Sequence, residues 1–252
     1  MQRKERDNRR FTQREATMPF RSRVALIAIM FSALPAMVLA ETGSAGKPAD
    51  TPPATAAQPP AAPAAPAHID GFRSAKWGMT EAQVKAAVHS DFNIPEDKLK
   101  SSDNLAEKTQ ALTASVPDLL EGAGTADVSY VFGYTSKKLI QVNILWSTAL
   151  DPRATPQKIV AAADQLRVLF LGSGYDPKTV TANTRIPDGS ILVFQGQDAD
   201  KHTTVLHLTS GSVTPTDKDG KPGKPVPVAT LALSYVLDAA EPDIFRLKKG
   251  SF

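Results

Sequence analysis

The chain has four histidines, His68, His89, His202 and His207, and no cysteine. No two of the histidines stand four apart, the spacing that places two ligands on one helical face. His202 and His207 are five apart, so on a regular strand they point to opposite faces. A metal centre needs converging ligands, and packing or surface roles are expected for these four instead. The absence of cysteine excludes disulfides, thiolate ligands, a cysteine nucleophile and a lipidated N-terminal cysteine. Asp198 and Asp200 fall in a strand connection beside Gly196. Paired carboxylates do acid–base work only where water is excluded, and this turn is expected to be solvated.

Three further stretches resemble functional loops. Asp217-Lys218-Asp219-Gly220 has the composition of a calcium loop. The EF-hand pattern needs glycine at position six and glutamate at twelve. Here, counted from Asp217, the glycine is fourth and the twelfth residue is Val228, so a solvated hairpin tip is expected. Gly172-Ser173-Gly174 follows a helical pattern, whereas phosphate-binding loops open one. It reads as a helix end, and it is not the Gly-x-Ser-x-Gly elbow of serine hydrolases. Tyr130, Phe132, Tyr134 and Trp146 lie on neighbouring strand patterns and are expected to pack in the core or against a helix. No catalytic, cofactor-binding or metal-binding set emerges from these residues.

The elements that would position them follow from periodicity. Residues 72–77 read as a short strand. Thr80-Glu81-Ala82-Gln83 is a capping box, with Met79 and Val84 placed for a hydrophobic staple, and Val84, Ala87 and Val88 share one face of the helix that follows. Pro95 ends that pattern. Residues 109–116 are a weak strand pattern. In 127–134, Val128, Tyr130, Phe132 and Tyr134 alternate on one face, and in 139–146, Ile140, Val142, Ile144 and Trp146 do so opposite Gln141 and Asn143. Residues 135–138 would connect this pair as a hairpin. Thr155-Pro156 opens a second helix with an N-cap and a proline at N1, carrying Ile159, Ala163, Leu166 and Phe170 at helical spacing and ending at Gly172. Strands are expected at 190–195, 203–209 and 228–237, with 214–227 as a long flexible hairpin loop. Short connections favour antiparallel pairing. The expected fold is α+β, an antiparallel sheet with two helices packed on it. It contains a possible degenerate helix-plus-strands repeat with halves 68–150 and 151–252; Ser-Tyr-Val recurs at 129–131 and 234–236.

Composition then bounds the partners. Of 29 Lys/Arg and 26 Asp/Glu, eight and three lie in residues 1–40, leaving 21 and 23 beyond. The remaining chain is slightly acidic, which argues against nucleic acid as a partner. Arg21 and Arg23 precede an apolar run, residues 24–34, and Val38-Leu39-Ala40 forms a small-residue cleavage site. This is the pattern of a secretory signal, with cleavage expected after Ala40 and translation starting either at Met1 or at Met18. Contact with the membrane is expected only through this segment, if it is not cleaved. Residues 41–67 hold ten Ala and seven Pro and no apolar period, so they are expected to be a disordered spacer reaching on the order of 80 Å when extended. Residues 68–252 form the expected globular part.

The run Gly78-Met79-Thr80-Glu81-Ala82-Gln83-Val84 resembles the helix start of the BamE/SmpA family of small outer-membrane assembly lipoproteins, and Tyr130-Val131-Phe132 resembles that family's aromatic strand. The chain departs from the family in having no lipobox cysteine and in reading Ala87-Val88-His89-Ser90 after the first helical turns. What the resemblance implies is an α+β module of the cell envelope. Export, spacer and the lack of a catalytic set lead to the expectation of a non-catalytic periplasmic or secreted module that binds an envelope protein or component. The alternative is a periplasmic hydrolase with a site assembled from scattered residues.

Overall fold

The capping box forms as the sequence predicts. In the computed structural model, Thr80 Nα–H donates to Gln83 Oε1 at 2.9 Å, and Gln83 N–H donates to Thr80 Oγ1 at 3.4 Å. These bonds satisfy helix-end donors that would otherwise be orphaned and start α1, Glu81–Phe92. Asn93, left-handed at φ 54°, ends it two residues before Pro95. Thr155 caps α2, Pro156–Leu171, by accepting from Lys158 N–H, with Pro156 at the first helical position. The structure describes residues 65–217, 220–247 and 250. The signal segment, nearly all of the Ala/Pro stretch and Lys218-Asp219 lie outside the described residues.

Among the described residues ten strands accompany the helices: β1 Gly71–Phe72, β2 Ala75–Lys76, β3 Lys100–Asn104, β4 Thr109–Leu120, β5 Gly124–Phe132, β6 Leu139–Ser147, β7 Thr181–Arg185, β8 Ile191–Gln197, β9 Thr203–Val213 and β10 Val226–Val236. β1 and β2 form a two-stranded hairpin. The rest form one antiparallel sheet in the order β3-β4-β5-β6-β10-β9-β8-β7. Each helix is thus followed in the chain by four strands, and the last strands of the two sets, β6 and β10, pair at the centre of the sheet. The α+β expectation holds, with strand content higher than the sequence reading anticipated.

One hydrophobic core takes the inward face of the sheet and both helices. A row of paired residues, Ala114, Val128, Ile144, Leu233, Leu206 and Phe194, runs across six strands, and all six are buried. Val84, Ala87 and Val88 of α1 and Ile159, Ala162, Ala163, Leu166 and Phe170 of α2 belong to the same cluster. Side chains alternate across a strand, so the neighbours of these residues line the opposite face. Among the described residues no helix is long and apolar enough to cross a membrane.

Several sequence expectations change. Residues 72–77 are not one strand but the β1–β2 hairpin, because Arg73 takes a left-handed φ of 52° and turns the chain. On β6 it is Leu139, not Ile140, that is buried. The register shifts between Val131 and Phe132, so that Phe132 opposes Leu139; the bulge leaves Ile140 as the extra residue and reverses the alternation there. Tyr134 lies beyond the end of β5, in edge-to-face contact with Phe245 at 5.6 Å. Ala67, at the end of the Ala/Pro stretch, already donates its N–H to Gly174 O at 2.9 Å.

Candidate functional site

The β8–β9 turn holds the first group to be tested. Asp198 is 4% exposed, not solvated as its place in a strand connection led one to expect. Its Oδ1 accepts from the N–H groups of Asp200 and His202, both at 2.9 Å, and its Oδ2 accepts from Ile69 N–H at 2.8 Å and lies 3.0 Å from His202 Nδ1. The carboxylate therefore closes its own turn and ties it to the segment leading into β1. His202 precedes β9 and is not on it; its ring packs 6.2 Å from that of Trp77. Trp77 in turn donates Nε1–H to Ile69 O at 2.8 Å. Asp200 stays exposed, 3.6 Å from His68 Nδ1. His68, Asp198 and Asp200 bring ligand atoms within 4.8 Å of one another. Asp198 has about four lone-pair positions and already has four partners, which leaves only two exposed side chains for an ion. The group is a structural clamp.

The second group lies at the other end of β8. Ser190 donates Oγ–H to Asp188, and its Oγ is 2.7 Å from His207 Nε2. The residue types are those of a serine hydrolase, but the order is wrong. In a catalytic triad the histidine stands between serine and carboxylate and takes the serine proton. Here the serine stands in the middle and its one proton goes to Asp188, so His207 Nε2 must donate. Burial lowers the His207 pKa, partly opposed by Asp188, consistent with a neutral ring that fastens β9 to the turn before β8. Sequence reading had no signal for this group, because the three residues come from a turn and a strand 17 residues apart.

The other motifs take structural places. Asp217 accepts from Lys221 N–H at 2.8 Å across the β9–β10 connection, as expected at a hairpin tip. Ser173 Oγ donates to Leu169 O at 2.6 Å and ends α2. The left-handed residue there is Gly174, at φ 75°, and not Gly172, at φ −90°. Tyr130, Phe132 and Trp146 are buried in the core. Tyr130 Oη and Trp146 Nε1 find no hydrogen-bond partner among the described residues.

What remains is the outward face of the sheet. One row of paired residues crosses all eight strands: Lys100, Thr113, Ser129, Asn143, Ser234, Val205, Gln195 and Thr181. The six between the edge residues are half-buried. Thr113 and Ser129 hydroxyls lie 2.8 Å apart, and Asn143 Oδ1 accepts from Ser234 Oγ at 2.8 Å and from Gln141 Nε2 at 2.7 Å. These bonds fix the amide oxygen of Asn143 at the middle of the sheet. Short side chains with fixed hydroxyls and amides lose little conformational entropy when a partner covers them. The seven inter-strand spacings of ~4.8 Å make the face roughly 34 Å wide, and the regularly paired stretch of ~20 Å gives it an area on the order of 700 Å². A standard protein interface takes about 800 Å² from each partner. The chain matches no protein-family model, no curated protein and no solved structure.

Proposed function

We propose that this protein is a non-catalytic binding module, exported to the periplasm or beyond, that docks a protein of the cell envelope on the outward face of its sheet. The observation that carries the reading is the contrast between that face and the core face: the same strands that bury Val128, Ile144 and Leu233 on one side present Ser129, Asn143 and Ser234 on the other. A face of this size suits a folded protein better than a small molecule. Its centre is uncharged, which fits a partner recognised by hydrogen bonds and shape. The serine–histidine geometry at Ser190 argues against the hydrolase reading. Export rests on the segment with Arg21, Arg23 and Ala40. We read the two helix-plus-four-strand halves as a degenerate repeat joined at β6 and β10, which produces a continuous face wider than either half would supply.

The test is capture of partners from envelope extract by the tagged full-length protein, with Asn143→Arg beside wild type. Arginine at the centre of the face should reduce recovery of any specific partner by about tenfold or more, as loss of an interface centre does. Identical recovery by wild type and N143R, with both folded by circular dichroism, would sink the proposal.

A further inference from the structure

A cleft of about 410 Å³ lies on the helical side of the sheet, between the segment 66–73, the C-terminal end of α2 and Tyr235 of β10. We propose that this cleft binds an amphipathic organic anion, its apolar body against Phe72, Phe170 and Tyr235 and its charged group at Arg73. The site is separate from the outward sheet face and does not depend on the docking proposal.

Two aromatic groups contribute to the walls. Phe72 stacks on Tyr235 with centroids 6.1 Å apart and on Phe92 at 6.4 Å. Phe170 meets Tyr175 edge-on at 6.1 Å. The volume falls within the ~300–1,000 Å³ of small-molecule sites.

The sign of the ligand's charge comes from the ionisable residues of the lining. Asp70 is engaged by Lys76 at 2.9 Å, and His68 faces Asp200 at 3.6 Å. Arg73 has no carboxylate within ion-pair distance among the described residues; its guanidinium rests on the Phe92 ring, 4.8 Å from the centroid. The nearby Asp91 accepts from Ser74 N–H at 3.0 Å. Arg73 is thus the lining cation left without an ion pair among the described residues. The Tyr235 hydroxyl makes no hydrogen bond among the described residues, and burial raises its pKa, so it is a protonated donor. These two donors are what an acid with an apolar body would use.

The position of Arg73 strengthens the assignment. It occupies a left-handed φ of 52° in the two-residue turn between β1 and β2. Glycine or asparagine suits that conformation better than a long side chain. Arginine here is unfavourable for the turn, and Arg73 is one of the residues that line the cleft.

That difference makes Arg73→Asn a discriminating variant. Anilinonaphthalene sulfonate, an aromatic sulfonate that fluoresces in apolar sites, is titrated into the full chain, then displaced with decanoate or with inorganic phosphate. Wild type should show saturable fluorescence that decanoate displaces and phosphate does not. R73N should weaken probe binding by about tenfold while its thermal midpoint stays equal or rises. Ser173→Trp, which fills the cleft from its rim, should weaken the probe similarly. Val168→Lys, on the exposed outer side of α2, should leave binding unchanged. Absence of saturable binding, displacement by phosphate, loss of signal in V168K, or full binding in both R73N and S173W would each overturn the proposal.

Discussion

The two faces of the eight-stranded sheet are built from alternate residues of the same strands and obey different physics. On the core side, Val128, Ile144, Leu233 and Leu206 are at most 3% exposed, and each contributes through the apolar area it removes from water. On the outward side, Ser129, Asn143, Ser234 and Gln195 retain contact with solvent, with Ser129 bonded to Thr113 and Ser234 to Asn143. Net hydrogen bonds exchanged with water contribute little each. The fold therefore depends strongly on one face and only weakly on the other, which leaves the second free to change with a partner's surface. Asp198 is one of the buried polar exceptions. It is polar yet buried, and four donors hold it.

The largest expected effect separates the faces directly. Ile144→Ala should cost ~2–5 kcal/mol, the usual range for a truncated core aliphatic, whereas Asn143→Ala, one residue away on the other side, should stay within ~0.5 kcal/mol. Denaturant midpoints with unchanged slopes measure both. Equal costs for the two would mean the outward face is covered in the native protein.

A smaller loss is expected for Asp198→Ala, about 2–3 kcal/mol, because it orphans several buried N–H groups that a charged acceptor had satisfied. The same denaturation series reads it. A cost no greater than that of N143A would remove Asp198 from the buried class and reopen the turn as a solvated pair of carboxylates.

The mildest test uses pH. Asp243, in the chain after β10, accepts from Thr135 N–H at 2.9 Å and Ser136 N–H at 2.8 Å in the β5–β6 connection. Burial alone would raise its pKa, but the bonds from Ser136 and Thr135 outweigh it and bring the value down to about 2. A depressed carboxylate stabilises the structure fully above its unfolded pKa of about 3.9 and loses that contribution as pH falls towards the folded value. Amide shifts of Thr135 and Ser136 followed by NMR should move together with a midpoint near pH 2, with core amides unaffected. Titration of these amides near pH 4, the ordinary value, would show that the tail is not held by this carboxylate.

Local rules made much of the fold legible. Thr80 with Gln83 and Thr155 with Pro156 set both helix starts through capping chemistry that acts within four residues. Alternation marked β5 and β6 because one face of each had to be apolar over a span of nine residues. β3 and β7 escaped notice: Lys-Ser-Ser-Asp-Asn and Thr-Ala-Asn-Thr-Arg carry no apolar alternation, and as edge strands they bury little on either side. What only the tertiary structure decided is longer in range. The pairing of β6 with β10 joins residues about 90 positions apart, and no local pattern specifies it. The burial of Asp198 depends on an N–H 129 residues away. The cleft at Arg73 depends on a turn, a helix end and a strand converging, and the bulge that exchanges Ile140 for Leu139 depends on strand register. Propensity, capping and period two act between neighbours, so the sequence alone determined the two helices and the strands with apolar alternation; the edge strands, strand order, buried polar clamps and both proposed sites arise from contacts that exist only once those elements have packed.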